Sequence, residues 1–256
     1  MSEQERTNPT SDVKSGGEDK VFESRTFPGG FKFDRSVAGV FENMLLRSVP
    51  GYENIIAMSG FLAGKYAQAG RNYYDLGCSL GATALAMQRN IAAENCCIYA
   101  VDNSLPMIER CREIVAMEPE HPAQLEVLCA DINEIKFANN AMTAINFTLQ
   151  FIAPELRAGL LKKIYDSMVP GGVLVLSEKI KLEDSVENDF FVEIYHQWKI
   201  GNGYSRREVE RKREALENVL IPDTVSGHRQ RLEMVGFSHF SVWFQCFNFV
   251  SMVAFK

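Results

Sequence analysis

The chain has 256 residues, enough for one large domain or a domain with a lid. Hydrophobic residues make up 46%, sufficient for a full core. A formal net charge of -6 argues against a protein whose main task is gripping phosphate backbones, which needs a basic face. A small-molecule enzyme fits this balance better, with no direct nucleic-acid contact expected. The cysteines Cys78, Cys96, Cys97, Cys111, Cys129 and Cys246 form no CxxC pair, and the four histidines do not cluster near them, so no metal site is expected. Free thiols in apolar segments behave as small hydrophobes and suit a reducing cytoplasm. The polar N-terminus has no secretory h-region, and no apolar run is long enough to span a bilayer.

Residues 1–30 are rich in Ser, Glu, Lys, Thr and Gly and read as a mobile, disordered tail. Order is expected from about Phe31. Asp34 is placed to cap a helix in which Val37, Val40, Phe41, Met44 and Leu45 recur at helical spacing. Pro50-Gly51 ends it, and a second helix over 54–69 completes a helical cap spanning 31–70. Strands and helices then alternate. Strands are expected at 72–76, 97–101, 125–129, 141–146 and 173–177, with helices at 82–93, 106–116 and 154–168. Val169-Pro170-Gly171-Gly172 reads as a turn before the fifth strand. These near-continuous apolar strands indicate a mainly parallel sheet covered on both faces. Helices at 186–200 and 205–220 then break the rhythm, as an insertion over about 184–222 hinged at Gly201-Asn202-Gly203. A further helix at 224–235 precedes two β-like runs, 237–244 and 248–255, that could pair as an antiparallel hairpin. The class is α/β and Rossmann-like, with 31–256 as one domain and a ligand at the carboxyl ends of the strands.

The chemistry centres on Tyr74-Asp75-Leu76-Gly77-Cys78-Ser79-Leu80-Gly81. A strand, a glycine turn and a helix start can cradle a nucleotide, though the same pattern serves ordinary βα turns. Asp102 ends the second strand, where dinucleotide folds place a ribose-binding carboxylate; a turn or cap role, for which Ser104 competes, is the alternative. Asp131 follows the third strand and would lie near a base, or be a solvated turn residue. Asn146 ends the fourth and would face the cleft, or satisfy backbone groups there. Ser79 stands where G-x-G expects glycine, and no third glycine serves a pyrophosphate, so a ligand without a diphosphate is indicated.

D-x-G-x-S-x-G, an acid ending the second strand, Ala130-Asp131 and Pro170-Gly171-Gly172 together resemble class I S-adenosylmethionine-dependent methyltransferases, over roughly residues 50 to 256. Five blocks are similar to the carboxy-S-adenosyl-L-methionine synthase family in particular. They are Arg47-Ser48-Val49-Pro50-Gly51-Tyr52, the 74–81 loop, Asn146-Phe147-Thr148-Leu149-Gln150-Phe151, Leu216-Glu217-Asn218-Val219 and Trp243-Phe244-Gln245-Cys246-Phe247-Asn248-Phe249. The tail before about residue 31 is outside the match.

That resemblance implies that the sulfonium methyl of S-adenosyl-L-methionine loses a proton to give an ylide, which captures carbon dioxide released from prephenate. The products are carboxy-S-adenosyl-L-methionine and phenylpyruvate. It implies an adenosylmethionine pocket lined by Tyr52, Gly77, Cys78, Ser79, Asp102, Asn103, Asp131, Ile132 and Asn146. Arg213 would grip the new carboxylate, with Tyr52 orienting the methionyl part or that carboxylate. It also implies a homodimer whose product feeds a separate tRNA carboxymethyltransferase acting on the wobble uridine. Read without the resemblance, Arg213 belongs to a solvated, charged helix face, Tyr52 to the packing of the cap, and His196 beside Trp198 to helix packing or a general base. Two other functions are open: an ordinary methyltransferase acting on a small molecule or RNA, and a non-catalytic adenosylmethionine-binding module.

Overall fold

The computed structural model describes residues 19–24 and 30–256, Ser24 by its backbone alone. Among the described residues four helices precede the sheet: α1 (Val21–Ser24), α2 (Arg35–Ala38), α3 (Phe41–Ser48) and α4 (Tyr52–Lys65). Then β1 (Asn72–Leu76), α5 (Ala82–Asn90), β2 (Cys97–Asp102), α6 (Leu105–Val115), β3 (Gln124–Cys129), β4 (Asn140–Asn146), α7 (Pro154–Ser167) and β5 (Met168–Lys179) follow in turn. The insertion supplies α8 (Ser185–Gly201) and α9 (Arg206–Leu216). α10 (Val225–Val235) leads to β6 (His239–Cys246) and β7 (Phe249–Phe255).

The strands form one sheet in the order β3-β2-β1-β4-β5-β7-β6. β1 to β5 are parallel, and β7 runs antiparallel between β5 and β6. Strand order reverses at β1 and β4, where the crossovers leave on opposite sides and a crevice opens at the carboxyl ends. Consecutive strand residues face opposite sides, so Tyr73 and Tyr74 enter different cores. One core joins Tyr74, Leu76, Ile145, Leu174 and Leu176 to Leu160, Leu161 and Ile164 of α7. The other joins Tyr73, Ile98, Ala100, Met142 and Val173 to Ala84 and Met87 of α5. α4 lies close on α5, for a Cβ at Gly60 would fall 2.5 Å from the Ala86 carbonyl oxygen.

Three expectations shift. Asp34 does cap a helix, its Oδ1 accepting from the Ser36 and Val37 amides. That helix breaks after Ala38, however, and α3 starts afresh at Phe41. α4 begins at Tyr52, two residues earlier than the pattern suggests, because Gly51 in the left-handed region (φ 73°) ends the preceding turn at once. Val169-Pro170-Gly171-Gly172 lies inside β5, where the pairing with β4 slips between Asn140 and Met142, and this irregularity absorbs the extra residues.

The disordered-tail reading of 1–30 is corrected for Asp19–Ser24; residues 1–18 and 25–29 lie outside the described residues. Phe22 is fully buried and its ring stacks 5.9 Å from Phe31. The Lys212 Nζ sits 5.1 Å over that ring. Asp19 is 2% exposed; its carboxylate accepts from the Tyr204 hydroxyl, and its carbonyl from Arg47 at 3.0 Å. Averaged composition hides the reason: Val21-Phe22 is an apolar pair that pays for ordering a short strap against α9.

Candidate active site

β1 delivers the chain to a loop of left-handed residues: Gly77 (φ 75°), Ser79 (φ 52°) and Gly81 (φ 85°). A Cβ at Gly77 would lie 2.1 Å from Thr148 Oγ1, so only glycine lets the loop pass there. Ser79, being no glycine, is held in a costly conformation; its amide is thereby aimed at Asp102 Oδ2, 3.0 Å away. Asp75 is 2% exposed and turned away from the cleft. Its Oδ2 accepts from the Ala84 amide at 3.0 Å, securing the first turn of α5, and burial pushes its carboxyl up to about 7.

Asp102 takes the Ser104 amide on Oδ1 at 2.8 Å and the Ser79 amide on Oδ2. Each oxygen keeps an acceptor site open for a ligand. Burial raises its pKa. The α6 cap is Ser104, whose Oγ accepts from the Met107 amide.

A cavity of about 600 Å³ opens above the carboxyl ends of β1, β2, β4 and β5. It is lined by all ten residues singled out above: Tyr52, Gly77, Cys78, Ser79, Asp102, Asn103, Asp131, Ile132, Asn146 and Arg213. They do not contribute alike. The Asp131 Oδ1 accepts from the Asn133 amide and side chain at 2.8 and 2.9 Å. The Asn146 amide donates to Thr83 at 3.0 Å and Ser59 at 3.4 Å and accepts from Ser177 at 2.6 Å, so most of its capacity holds the floor of the site together. The Cys78 thiol is pushed up by its hydrogen bond with Cys111 and by burial, which removes nucleophilic character. Burial also raises the Tyr52 hydroxyl.

The cavity is charge-polarised along the sheet. Asp102 and Asp131 line the end at β2 and β3; Lys179, Lys199, Lys212 and Arg213 line the end at β5, α8 and α9, with Glu217 at the close of α9 the one acid there among the described residues. Lys212 donates to Ser48 Oγ at 2.9 Å and is steadied by Asp19. Arg213 has no acidic partner within ion-pair distance among the described residues. Lys179 and Lys199 are likewise unpaired and escaped the sequence reading. Lys179 ends β5, where the strand-end rule that found Asp102 and Asn146 applies. His196 and Lys199, three apart on α8, share a face. Burial pushes His196 down to about 4, with Lys199, Lys179 and Arg213 adding to the effect, so it is neutral at pH 7 and a feeble base.

This arrangement is the class I S-adenosylmethionine-dependent methyltransferase fold. A methyltransferase-domain family model matches residues 74–172. A cyclopropane synthase structure from Mycobacterium tuberculosis superposes with a TM-score of 0.53 at 16% identity, over 71% of this chain and 61% of that one. Two curated relatives are far closer in sequence. A carboxy-S-adenosyl-L-methionine synthase from Citrifermentans bemidjiense is 52% identical over 88% of this chain and 93% of its own length. Another from Photorhabdus laumondii is 52% identical over 89% of this chain and 90% of its own. The chain belongs to the carboxy-S-adenosyl-L-methionine synthase family and is an enzyme of that class.

The residues present fit adenosylmethionine. The volume lies within the range of roughly 300 to 1,000 Å³ typical of small-molecule sites. The open acceptor positions on Asp102 suit ribose hydroxyls, and the glycine loop lets backbone approach the ligand. Among the described residues no helix is long and apolar enough to cross a membrane.

Proposed function

We propose that the enzyme converts S-adenosyl-L-methionine and prephenate to carboxy-S-adenosyl-L-methionine and phenylpyruvate. The observation that carries this reading is Arg213, an exposed residue at the rim of the cavity that it helps to line, without an acidic partner within ion-pair distance among the described residues. A guanidinium about 4 Å from a sulfonium costs about 4 kcal/mol in a partly shielded site. A carboxylate on the methyl carbon converts that repulsion into a bidentate, charge-assisted contact. Ordinary methyl transfer has no use for such a cation.

In this reading Asp102 holds the ribose, and Asn103, Asp131 and Ile132 border the adenine. Gly77, Cys78 and Ser79 pass under the nucleoside, Tyr52 and Asn146 flank the methionyl part, and Arg213 clasps the new carboxylate. S-adenosylmethionine supplies the methyl carbon that gains the carboxyl group. Prephenate loses carbon dioxide and its ring hydroxyl on becoming phenylpyruvate, and the hydroxyl leaves as water with the methyl proton. No side chain then has to act as base, which accords with a neutral, weakly basic His196. The protein's part is positioning and electrostatics.

The product would supply a separate tRNA carboxymethyltransferase at the wobble uridine in the cytoplasm; the net charge of -6 suits an enzyme that leaves RNA to another protein. A homodimer is proposed with it, and Val186 and Phe190, exposed on α8, are apolar groups for the contact. Sedimentation showing only monomer would remove that part. Mass spectrometry of ligand released from purified protein tests the reaction. A species heavier than S-adenosylmethionine by one carbon dioxide is expected. Unmodified ligand with methyl transfer to an acceptor would establish an ordinary methyltransferase instead.

A further inference from the structure

Lys199 is 3% exposed, lines the cavity, and has no carboxylate within ion-pair distance among the described residues. Its Nζ lies 4.5 Å from the centre of the Tyr195 ring. Lys179, at the end of β5, places its Nζ 5.0 Å from the same ring. Tyr195 is itself fixed, its hydroxyl donating to the Ser48 carbonyl at 2.8 Å and its ring 5.0 Å from Phe249. Two ammoniums are thus held on one aromatic platform facing a cavity. Aromatic contact offsets only a small part of the cost of burying a charge, and a buried charge persists where something pairs with it. No carboxylate does so within ion-pair distance among the described residues: Lys212 and Arg213 are further cations, Asp102 and Asp131 lie at the opposite end, and Glu217, the acid that lines the cavity just beyond α9, makes no ion pair with either lysine.

The donor does not fill this role. With a sulfonium, an ammonium and one carboxylate it carries net positive charge, and a single carboxylate cannot neutralise a four-cation wall. The partner has to be an anion, and more than one carboxylate suits it better than one. We propose that Lys179 and Lys199, braced by Tyr195, form the anion subsite that anchors a carboxylate of the dicarboxylate co-substrate, separate from the Arg213 contact to the product. Phe249, which lines the cavity beside this platform, gives the ring of such a substrate an apolar wall. The inference rests on the prephenate reading for the identity of the ligand but on the lysines for the chemistry. Burial supports it from another side, pushing Lys199 down to about 7 and Lys179 to about 8, the mark of ammoniums lacking counter-ions.

The test uses the full chain with Lys199→Met and Lys179→Met. Steady-state kinetics with prephenate should show KM for prephenate raised at least 30-fold, while S-adenosylmethionine binds no more weakly in calorimetry. The second readout is calorimetric binding of malonate, a plain dianion, to enzyme saturated with S-adenosylmethionine; it should be seen in the wild type and lost in both variants. Malonate binding and prephenate KM within threefold of wild type in both variants would overturn the proposal. A wild type that binds malonate through these lysines yet does not turn over prephenate would refute the substrate reading and leave the anion subsite standing. A wild type that binds neither anion would overturn the subsite itself.

Discussion

Replacing Lys199 by methionine should make the protein more stable while disabling it. In the folded chain burial lowers this lysine from 10.5 to about 7, with Lys212 and Lys179 contributing. At pH 7 the native ammonium is about half-protonated and the unfolded one fully so, which costs the native state about 4 kcal/mol. Methionine keeps the length of the stem and removes the charge. It forfeits the contact over Tyr195, worth about 1 kcal/mol. The net gain is about 3 kcal/mol, a Tm rise on the order of 6 to 12 °C for a chain of this size. The sign with pH is fixed by the native pKa lying below the unfolded one. Between about pH 7 and 10.5 the unfolded chain holds the extra proton, so wild-type stability climbs with pH and the variant lacks that climb. Urea unfolding of ligand-stripped protein at pH 7 and 9.5 reads both effects. The variant's advantage should be clear at pH 7 and fall to about 1 kcal/mol at pH 9.5. A variant less stable at pH 7, or an advantage equal at both values, would refute the claim that an uncompensated ammonium is buried there.

The same titration predicts that KM for prephenate rises as pH passes from about 7 to 9, because Lys199 and Lys179 lose the protons that hold an anion, Lys212 (about 8, by burial) titrating with them, while neutral His196, Arg213, Glu217 and the Tyr195 ring complete that end of the cavity; a flat KM across that range in initial-rate assays would contradict it. Gly77→Ala should weaken S-adenosylmethionine binding at least tenfold and lower stability by about 1 to 3 kcal/mol, since the new Cβ falls 2.1 Å from Thr148 Oγ1 at φ 75°. Calorimetry and thermal melts check both. Phe22→Ala should release the 19–24 strap and speed amide exchange there and in α9, with the sheet unaffected; unchanged exchange in α9 would show the strap to be passive.

Much of this architecture was legible because its signals are local. β1, the glycine turn and α5 announce themselves through residues whose backbone demands are fixed, and Asp102 and Asn146 through their place at strand ends. Asp75, one residue before the end of β1, is bound by the amide of Ala84, nine residues on, a partner that strand spacing does not announce. Glu178-Lys179 is harder still. Glu178 turns away to take the Leu149 and Gln150 amides at 2.9 and 2.8 Å, leaving Lys179 for the cleft, and only the tertiary pairing says which does which. Lys199 shares a helix face with His196, but periodicity cannot tell a face that meets solvent from one that meets a cavity. Arg213 sits in a run of charges, and only the family resemblance singled it out. Phe22 was lost in a polar average because burial is decided residue by residue.

The comparison of carboxy-S-adenosylmethionine with S-adenosylmethionine by titration calorimetry, on wild type and Arg213→Met, bears most directly on the cationic wall. Wild type should favour the carboxylated ligand, and the variant should lose about 10- to 100-fold of that preference, the worth of a charge-assisted clasp, while still binding S-adenosylmethionine. An equal preference in both proteins would mean that the guanidinium does not meet the carboxylate.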